Sequence, residues 1–148
     1  MAVEFALVFP LLFIMLFGTL IVGWRVWEHQ AGQSTAREAA RLASVGVYDL
    51  TAFRHDVVCF GEHNGLKAGT LTKLQLDFFN SRMDSATPTS ADYGYVQVSL
   101  TYRSALGDVP LIGAGDGGFT TGGLYRVEQL GTALTSPQTV TVNGETCR

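Results

Sequence analysis

The sequence predicts an α+β protein in which one long N-terminal helix packs against a small antiparallel β-sheet. Three observations support this fold: an apolar run without formal charge over residues 5–24, a continuation rich in helix-forming residues to about Ser44, and strand-like alternation of apolar and polar residues beyond Tyr48. The 148 residues are therefore predicted to divide into a helix over 1–46 and a β-rich head over 47–148.

The hydrophobic first part of the helix, residues 1–24, is long enough to cross a bilayer, because about 20 helical residues span roughly 30 Å. Four interpretations are a cleaved signal peptide, a transmembrane anchor, a core helix, and a subunit helix that leaves the membrane for a protein assembly. The lack of a basic region and of a closing small-residue site disfavours a signal peptide. A head of about 100 residues is too small to bury a helix that is apolar on every face. The transmembrane anchor and the assembly helix remain as interpretations, and hydropathy does not distinguish between them.

Four residues in the apolar segment bear on how this helix bends, packs and carries charge. Pro10 lacks the N–H that would bond to Ala6, so a kink or loosened turn is expected there, while Gly18 and Gly23 permit close helix packing. Glu4 places an ionisable group at the start of the apolar run, which is costly unless the group snorkels, is protonated or finds a partner. The simpler alternative is that Glu4 lies at the level of the lipid headgroups.

The second part of the helix, residues 25–46, is amphipathic. Its beginning resembles an interfacial belt of aromatic and charged residues: Trp24, Arg25, Trp27, Glu28 and His29. A face of small residues is expected to pack on the chain's own head: Ala36, Ala39, Ala40 and Ala43. Glu38 and Arg41 are spaced for an ion pair, and Gly46 can end the helix.

The head is predicted to contain four or five strands. Asp49 is expected to cap a helical turn that reaches about His55, followed by a short strand over Val57–Phe60 and a turn at Asn64–Gly65. The remaining predicted strands are 74–78, 93–103, 124–130 and 139–142, with loops over 80–92 and 113–118 and a turn at Asn143–Gly144. The clearest alternation puts Gly94, Val96, Val98, Leu100 and Tyr102 on one face.

Two sequence patterns are candidates for a ligand or metal site. Residues 113–118 match G-x-G-x-x-G, but the segment that follows is a poor helix start, so a loop is favoured over a nucleotide site. Cys59 and Cys147 are predicted to form a disulfide in an exported head; a zinc site with His55 and His63, or free thiols, are the alternatives.

The remaining composition points away from catalysis and nucleic acid. None of the three histidines lies in a recognisable catalytic pattern, and Asp108 and Asp116 lack the spacing of an EF-hand, so neither an enzyme nor a cofactor is predicted. The formal charge of −3 gives no indication of nucleic-acid binding. Aromatic residues available for ligand contact or packing are Tyr93, Tyr95, Phe119 and Tyr125.

The N-terminal residues resemble TadE-like proteins, the pilin-like subunits of tight-adherence (type IVc) pilus systems. The resemblance is carried by residues 2–8 with Pro10, by the apolar run, and by residues 36–41. Shorter matches in the head are Val57–Gly61, similar to the strand that follows the helix in such proteins, then Val96–Tyr102 and Arg126–Glu128.

The resemblance implies a type IV pilin-like fold and a precursor cut by a prepilin peptidase. The apolar helix would first lie in the membrane and then be moved by an assembly machine into the core of an extracellular filament. Glu4 would neutralise the N-terminal amine of a neighbouring subunit. Pilins usually carry this glutamate at the fifth mature position, so one residue is missing before Met1, cleavage is shifted, or Met1 is the initiator and no leader exists.

Three functions remain open from the sequence. The first is a filament-forming pilin whose partners are copies of itself or other pilins. The second is a low-copy pseudopilin or anchored factor that supports assembly of another pilin, and the third is an anchored extracellular binding module. Apolar helices that pack together in a filament need no large domain of their own, which agrees with the first.

Overall fold

The computed structural model describes residues 2–46, 49–80, 82–83, 93–105, 118–127, 138–142 and 144–147. Its elements in chain order are α1 (Ala2–Val45), α2 (Leu50–His63), β1 (Leu71–Asn80), β2 (Tyr93–Arg103), β3 (Gly118–Arg126) and β4 (Gln138–Thr141). The four strands form one antiparallel sheet in the order β3-β2-β1-β4. The predicted α+β class, with a long apolar helix and a small antiparallel sheet, is confirmed.

Helix α1 runs without interruption through Pro10 to Val45. Gly46 ends it with φ 110°, and its N–H donates to the Ala43 carbonyl over 3.3 Å. This left-handed conformation is favourable for glycine, so the predicted helix end is confirmed. The predicted ion pair is also present, with Arg41 Nε 3.7 Å from the Glu38 carboxylate.

The core lies between one face of the sheet and the second half of α1. The small-residue face of α1 is buried as predicted, at Ala36, Ala39, Ala40 and Ala43. The buried strand residues alternate along β1 and β2: Leu74, Leu76, Phe78, Val96, Val98, Leu100 and Tyr102. Because alanine has almost no side chain to hold the backbones apart, the axis of α1 can lie close to β2 and β3.

The strand predicted over Val57–Phe60 is wrong, because these residues belong to α2. Asp49 caps this helix by accepting a hydrogen bond from the Thr51 N–H over 2.8 Å, as predicted, but the helix continues to His63. Phe53, Val57 and Val58 share its buried face. Packing at helical spacing therefore outweighs the strand propensity of two adjacent valines.

Other elements in the head are of the predicted type, but their observed boundaries differ from the predicted ones. Strand β3 begins at Gly118, six residues before the predicted start at Leu124, and the predicted residues 128–130 lie outside the described part. Strand β4 is shifted by one residue from the predicted 139–142. The turn at Asn64–Gly65 is confirmed, with Gly65 at φ 96°.

Candidate functional site

The apolar half of α1 projects from the head with its side chains uncovered. Leu7 is 77% exposed and Ile14 is 70% exposed, and the most apolar window of the helix is entirely unburied. By length and composition this helix can cross a membrane. An apolar surface of this size must be covered by lipid or by protein, because its exposure to water is unfavourable.

A row of phenylalanines marks one side of this segment. Phe5, Phe9, Phe13 and Phe17 follow one another at four-residue spacing, and the successive ring centroids are 5.6, 5.9 and 4.2 Å apart. Residues four apart lie on the same helix face, so the rings form a continuous aromatic stripe. We call it the phenylalanine stripe. Hydropathy did not distinguish this face, although the spacing is visible in the sequence.

The residues predicted to act in helix assembly all lie on α1. Gly18 and Gly23 have no other part of the chain within 4 Å of where a Cβ would stand, so these positions are open to a partner. The structure includes the backbone of Glu4 in α1 but not the placement of its side chain. The kink at Pro10 and the role of Glu4 stay predictions.

A buried carboxylate joins α1 to the head where the apolar segment ends. Glu28 is only 5% exposed. Its Oε2 accepts a hydrogen bond from Ser104 Oγ over 2.6 Å, and its Oε1 accepts from the Ala105 N–H over 2.9 Å and from Trp24 Nε1 over 3.1 Å. Glu28 is thus not part of an interfacial belt, as the sequence had indicated, but fixes the chain leaving β2 against α1.

Replacing Glu28 by glutamine is expected to lower the free energy of unfolding by about 2 kcal/mol, since a charged carboxylate that accepts three hydrogen bonds becomes a neutral amide with a single acceptor oxygen. Urea unfolding of the full chain in a neutral detergent measures the loss. Glu38→Gln is the matched control and should change stability by less than about 0.5 kcal/mol. Equal losses in both variants would contradict the structural role of Glu28.

Tyr102 packs on the same stretch of helix. Its ring lies so close to Gly32 that a Cβ there would stand 2.6 Å from Tyr102 Cε1, and its hydroxyl donates to the Glu28 carbonyl over 3.2 Å. Phe119 stacks on the Tyr102 ring with centroids 5.8 Å apart. Burial, with a smaller contribution from the Glu28 charge, raises the pKa of Tyr102 from 10.0 to about 12.

The raised pKa of Tyr102 predicts a loss of stability in alkali. The unfolded chain releases this proton from about pH 10 while the folded chain retains it, so the contribution is complete below pH 10 and is lost as pH rises toward 12. Tyr102→Phe should cost about 1 kcal/mol near neutral pH through the lost hydrogen bond. The stability difference between the two proteins should shrink when urea unfolding is repeated at pH 11, and a difference independent of pH would contradict this account.

The C-terminal segment of the head is held by a disulfide. The Sγ atoms of Cys59 and Cys147 are bonded, joining α2 to the C-terminal segment across 88 residues. Around this bond, Arg54 Nε lies 2.6 Å from the Glu145 carboxylate, and the Cys147 N–H donates to Glu62 over 3.2 Å. The C-terminal segment is therefore attached to α2 by covalent, ionic and hydrogen-bond contacts.

The histidines near this disulfide bind protein atoms. His63 Nδ1 lies 2.8 Å from the Cys59 carbonyl, and His55 Nε2 lies 3.6 Å from Cys59 Sγ. Among the described residues, no three histidine, cysteine or acidic side chains converge as a metal site requires.

The other motifs are placed only in part. Of residues 113–118, only Gly118 lies within the described part, where it begins β3. Among the aromatic candidates, Phe119 and Tyr95 are half-buried and Tyr125 is exposed, while the side chain of Tyr93 lies outside the described part.

The geometry defines an α+β protein whose head leaves an apolar helix free for lipid or for other subunits. Residues 1–41 match the model of a family described as TadE-like protein, which confirms the resemblance over most of α1. The match covers 41 of the 148 residues of the chain. No curated protein and no solved structure matches the chain.

Proposed function

We propose that this protein is a structural pilin subunit that polymerises through α1 into an extracellular Tad-like pilus. The observation that carries the proposal is the contrast within one helix: one face of the second half is buried on the sheet, while the first half is uncovered on all sides. A head that folds without covering this half leaves it available to the same segment of neighbouring subunits. The match over residues 1–41 supports the same role.

In this proposal the chain has two units and occupies two environments. The helix over 1–46 is the assembly element and the head over 47–148 is the outer surface of the filament. Before assembly the apolar half lies in the cell membrane, where a prepilin peptidase and the assembly machinery act on the precursor. Afterwards the open surfaces at Gly18 and Gly23 admit neighbouring helices. Glu4 neutralises the N-terminal amine of the next subunit, because a carboxylate in an apolar environment needs a cationic partner.

Fractionation of cells after shearing tests the proposal. The protein should be abundant in the sheared filament fraction, and Glu4→Ala should reduce that fraction at least tenfold while the protein accumulates in the membrane. Glu38→Ala removes a carboxylate from the head-packed half of the same helix and should leave the filament fraction unchanged. Wild-type protein that remains in the membrane while another subunit forms the filaments would overturn the pilin role.

The second candidate is a low-copy pseudopilin that primes or supports the assembly of another pilin. It is favoured by the same uncovered helix, since one apolar half can also dock on a different pilin. In that case the protein is scarce in sheared filaments, yet its deletion still reduces their number. Quantifying both subunits in one sheared sample distinguishes the two roles.

A further inference from the structure

Gly18 forms a notch on the face of α1 that lies opposite the phenylalanine stripe. A helix turns by about 100° per residue, so Gly18 stands about 160° around the axis from the middle of the stripe. Among the described residues, none reaches within 4 Å of where a Cβ on Gly18 would stand. Large apolar side chains border the notch one turn to either side: Ile14, Met15, Ile21 and Val22. The helix therefore carries projecting rings on one face and a depression on the other.

The rings of the phenylalanine stripe are exposed and can enter such a depression. Phe5 is 68% exposed and Phe17 is 44% exposed. The stripe extends along about 18 Å of the helix axis. In a membrane, lipid already covers both faces of the helix, so a partner helix must offer closer packing than fluid acyl chains do. The notch gives this advantage, because the missing side chain of a glycine lets an aromatic ring approach the helix backbone.

We propose that the phenylalanine stripe of one copy packs on the Gly18 notch of the next copy of this chain. The partner is a second copy because both halves of the contact, the rings and the notch, are present on the same helix. The contact is heterologous, since it joins two different faces. Because these faces are nearly opposite, each copy keeps one face free for a further copy, and the row does not close. This pairing rests on the proposed pilin function and specifies which surfaces of α1 polymerise.

Disulfide trapping in cells that lack the wild-type gene tests this pairing. Two differently tagged copies of the full chain are co-expressed, one with a substitution in the stripe and the other with Gly18→Cys. The stripe substitutions are Phe9→Cys, Phe13→Cys and Phe17→Cys, each tested separately. The two native cysteines are bonded to each other and leave no free thiol. A disulfide requires Cβ atoms about 4 Å apart, so a membrane-permeant oxidant joins only positions that face each other.

One of the three stripe variants should give about fivefold more crosslinked dimer with the Gly18→Cys copy than either variant gives with itself, because the contact joins unlike faces. Successive rings are about 6 Å apart along the axis, so the variant that reacts best reports the axial offset between neighbouring copies. Leu12→Cys is the matched control. It lies at nearly the same level as Phe13 but about 100° around the axis, so it should give only background crosslinking with Gly18→Cys.

Crosslinks are measured both in sheared filaments and in the membrane fraction, so failure of the pairing and failure of the pilin role are distinguishable. If a stripe variant crosslinks best with itself, the contact is a symmetric one between rings, and the pairing is overturned. Equal crosslinking of Leu12→Cys would also overturn it, as would the lack of any dimer above background in both fractions, which would leave the stripe to lipid or to a different pilin. A mixed dimer found only in the membrane, with filaments built from another subunit, would support the pairing and overturn the pilin role.

Discussion

Replacing Gly123 by alanine is expected to lower the free energy of unfolding by about 3 kcal/mol, because α1 and β3 meet there backbone to backbone. A Cβ on Gly123 would stand 2.7 Å from the Ala36 carbonyl carbon and 2.8 Å from the Arg37 Cα. Neither atom belongs to a flexible side chain, so the helix must move away from the sheet and the alanine face of α1 loses its close packing. Urea unfolding in neutral detergent measures the change.

The adjacent glycine gives a matched control. A Cβ on Gly122 would meet its nearest neighbour, Gln97 Nε2, at 3.5 Å, which is ordinary van der Waals contact. Gly122→Ala should therefore change stability by less than about 0.5 kcal/mol. If both variants lose the same free energy of unfolding, the loss comes from placing alanine in strand β3. The close approach of α1 to Gly123 would then not explain it.

Removal of the disulfide is expected to cost about 4 kcal/mol. The bond between Cys59 and Cys147 closes a loop of 88 residues, and the loss of chain entropy in the unfolded state grows with loop length. The double variant Cys59→Ala/Cys147→Ala should unfold at correspondingly lower urea concentration than the oxidised wild type.

Reduction provides the internal control for this variant. A thiol reductant should lower the stability of the wild type to about that of the double variant and should not affect the variant. A loss below about 1 kcal/mol would contradict the loop-closure account and indicate that the Arg54–Glu145 pair and the Glu62–Cys147 hydrogen bond hold the C-terminal segment by themselves.

The features that could be predicted from the sequence are those marked by a regular spacing of residues within one helix or strand. The helical spacing of Ala36, Ala39, Ala40 and Ala43 and the alternation along β2 each identify a buried face, and both faces are buried. The apolar run over residues 5–24 predicted a helix that the head does not cover. Asp49 predicted the start of α2 because a cap is a local interaction between a side chain and the next turn.

The features that were missed depend on contacts between distant parts of the chain. Val57 and Val58 have strand propensity, and only the core they enter places them in a helix. Glu28 resembled an interfacial residue because its partners, Ser104 and Ala105, lie more than 70 residues away. Gly123 stood just before the predicted strand start at Leu124, because the backbone of α1, which requires a glycine there, is equally remote in the sequence.

In the proposed filament, the uncovered half of α1 is covered by other subunits. Electron cryomicroscopy of sheared filaments tests it most directly, because density at side-chain resolution can be assigned to this sequence. We expect the phenylalanine stripe to lie inside the filament, in contact with the apolar halves of neighbouring subunits, and the heads to lie outside. Filaments whose density fits only another sequence, or in which the stripe of this chain faces solvent, would contradict it.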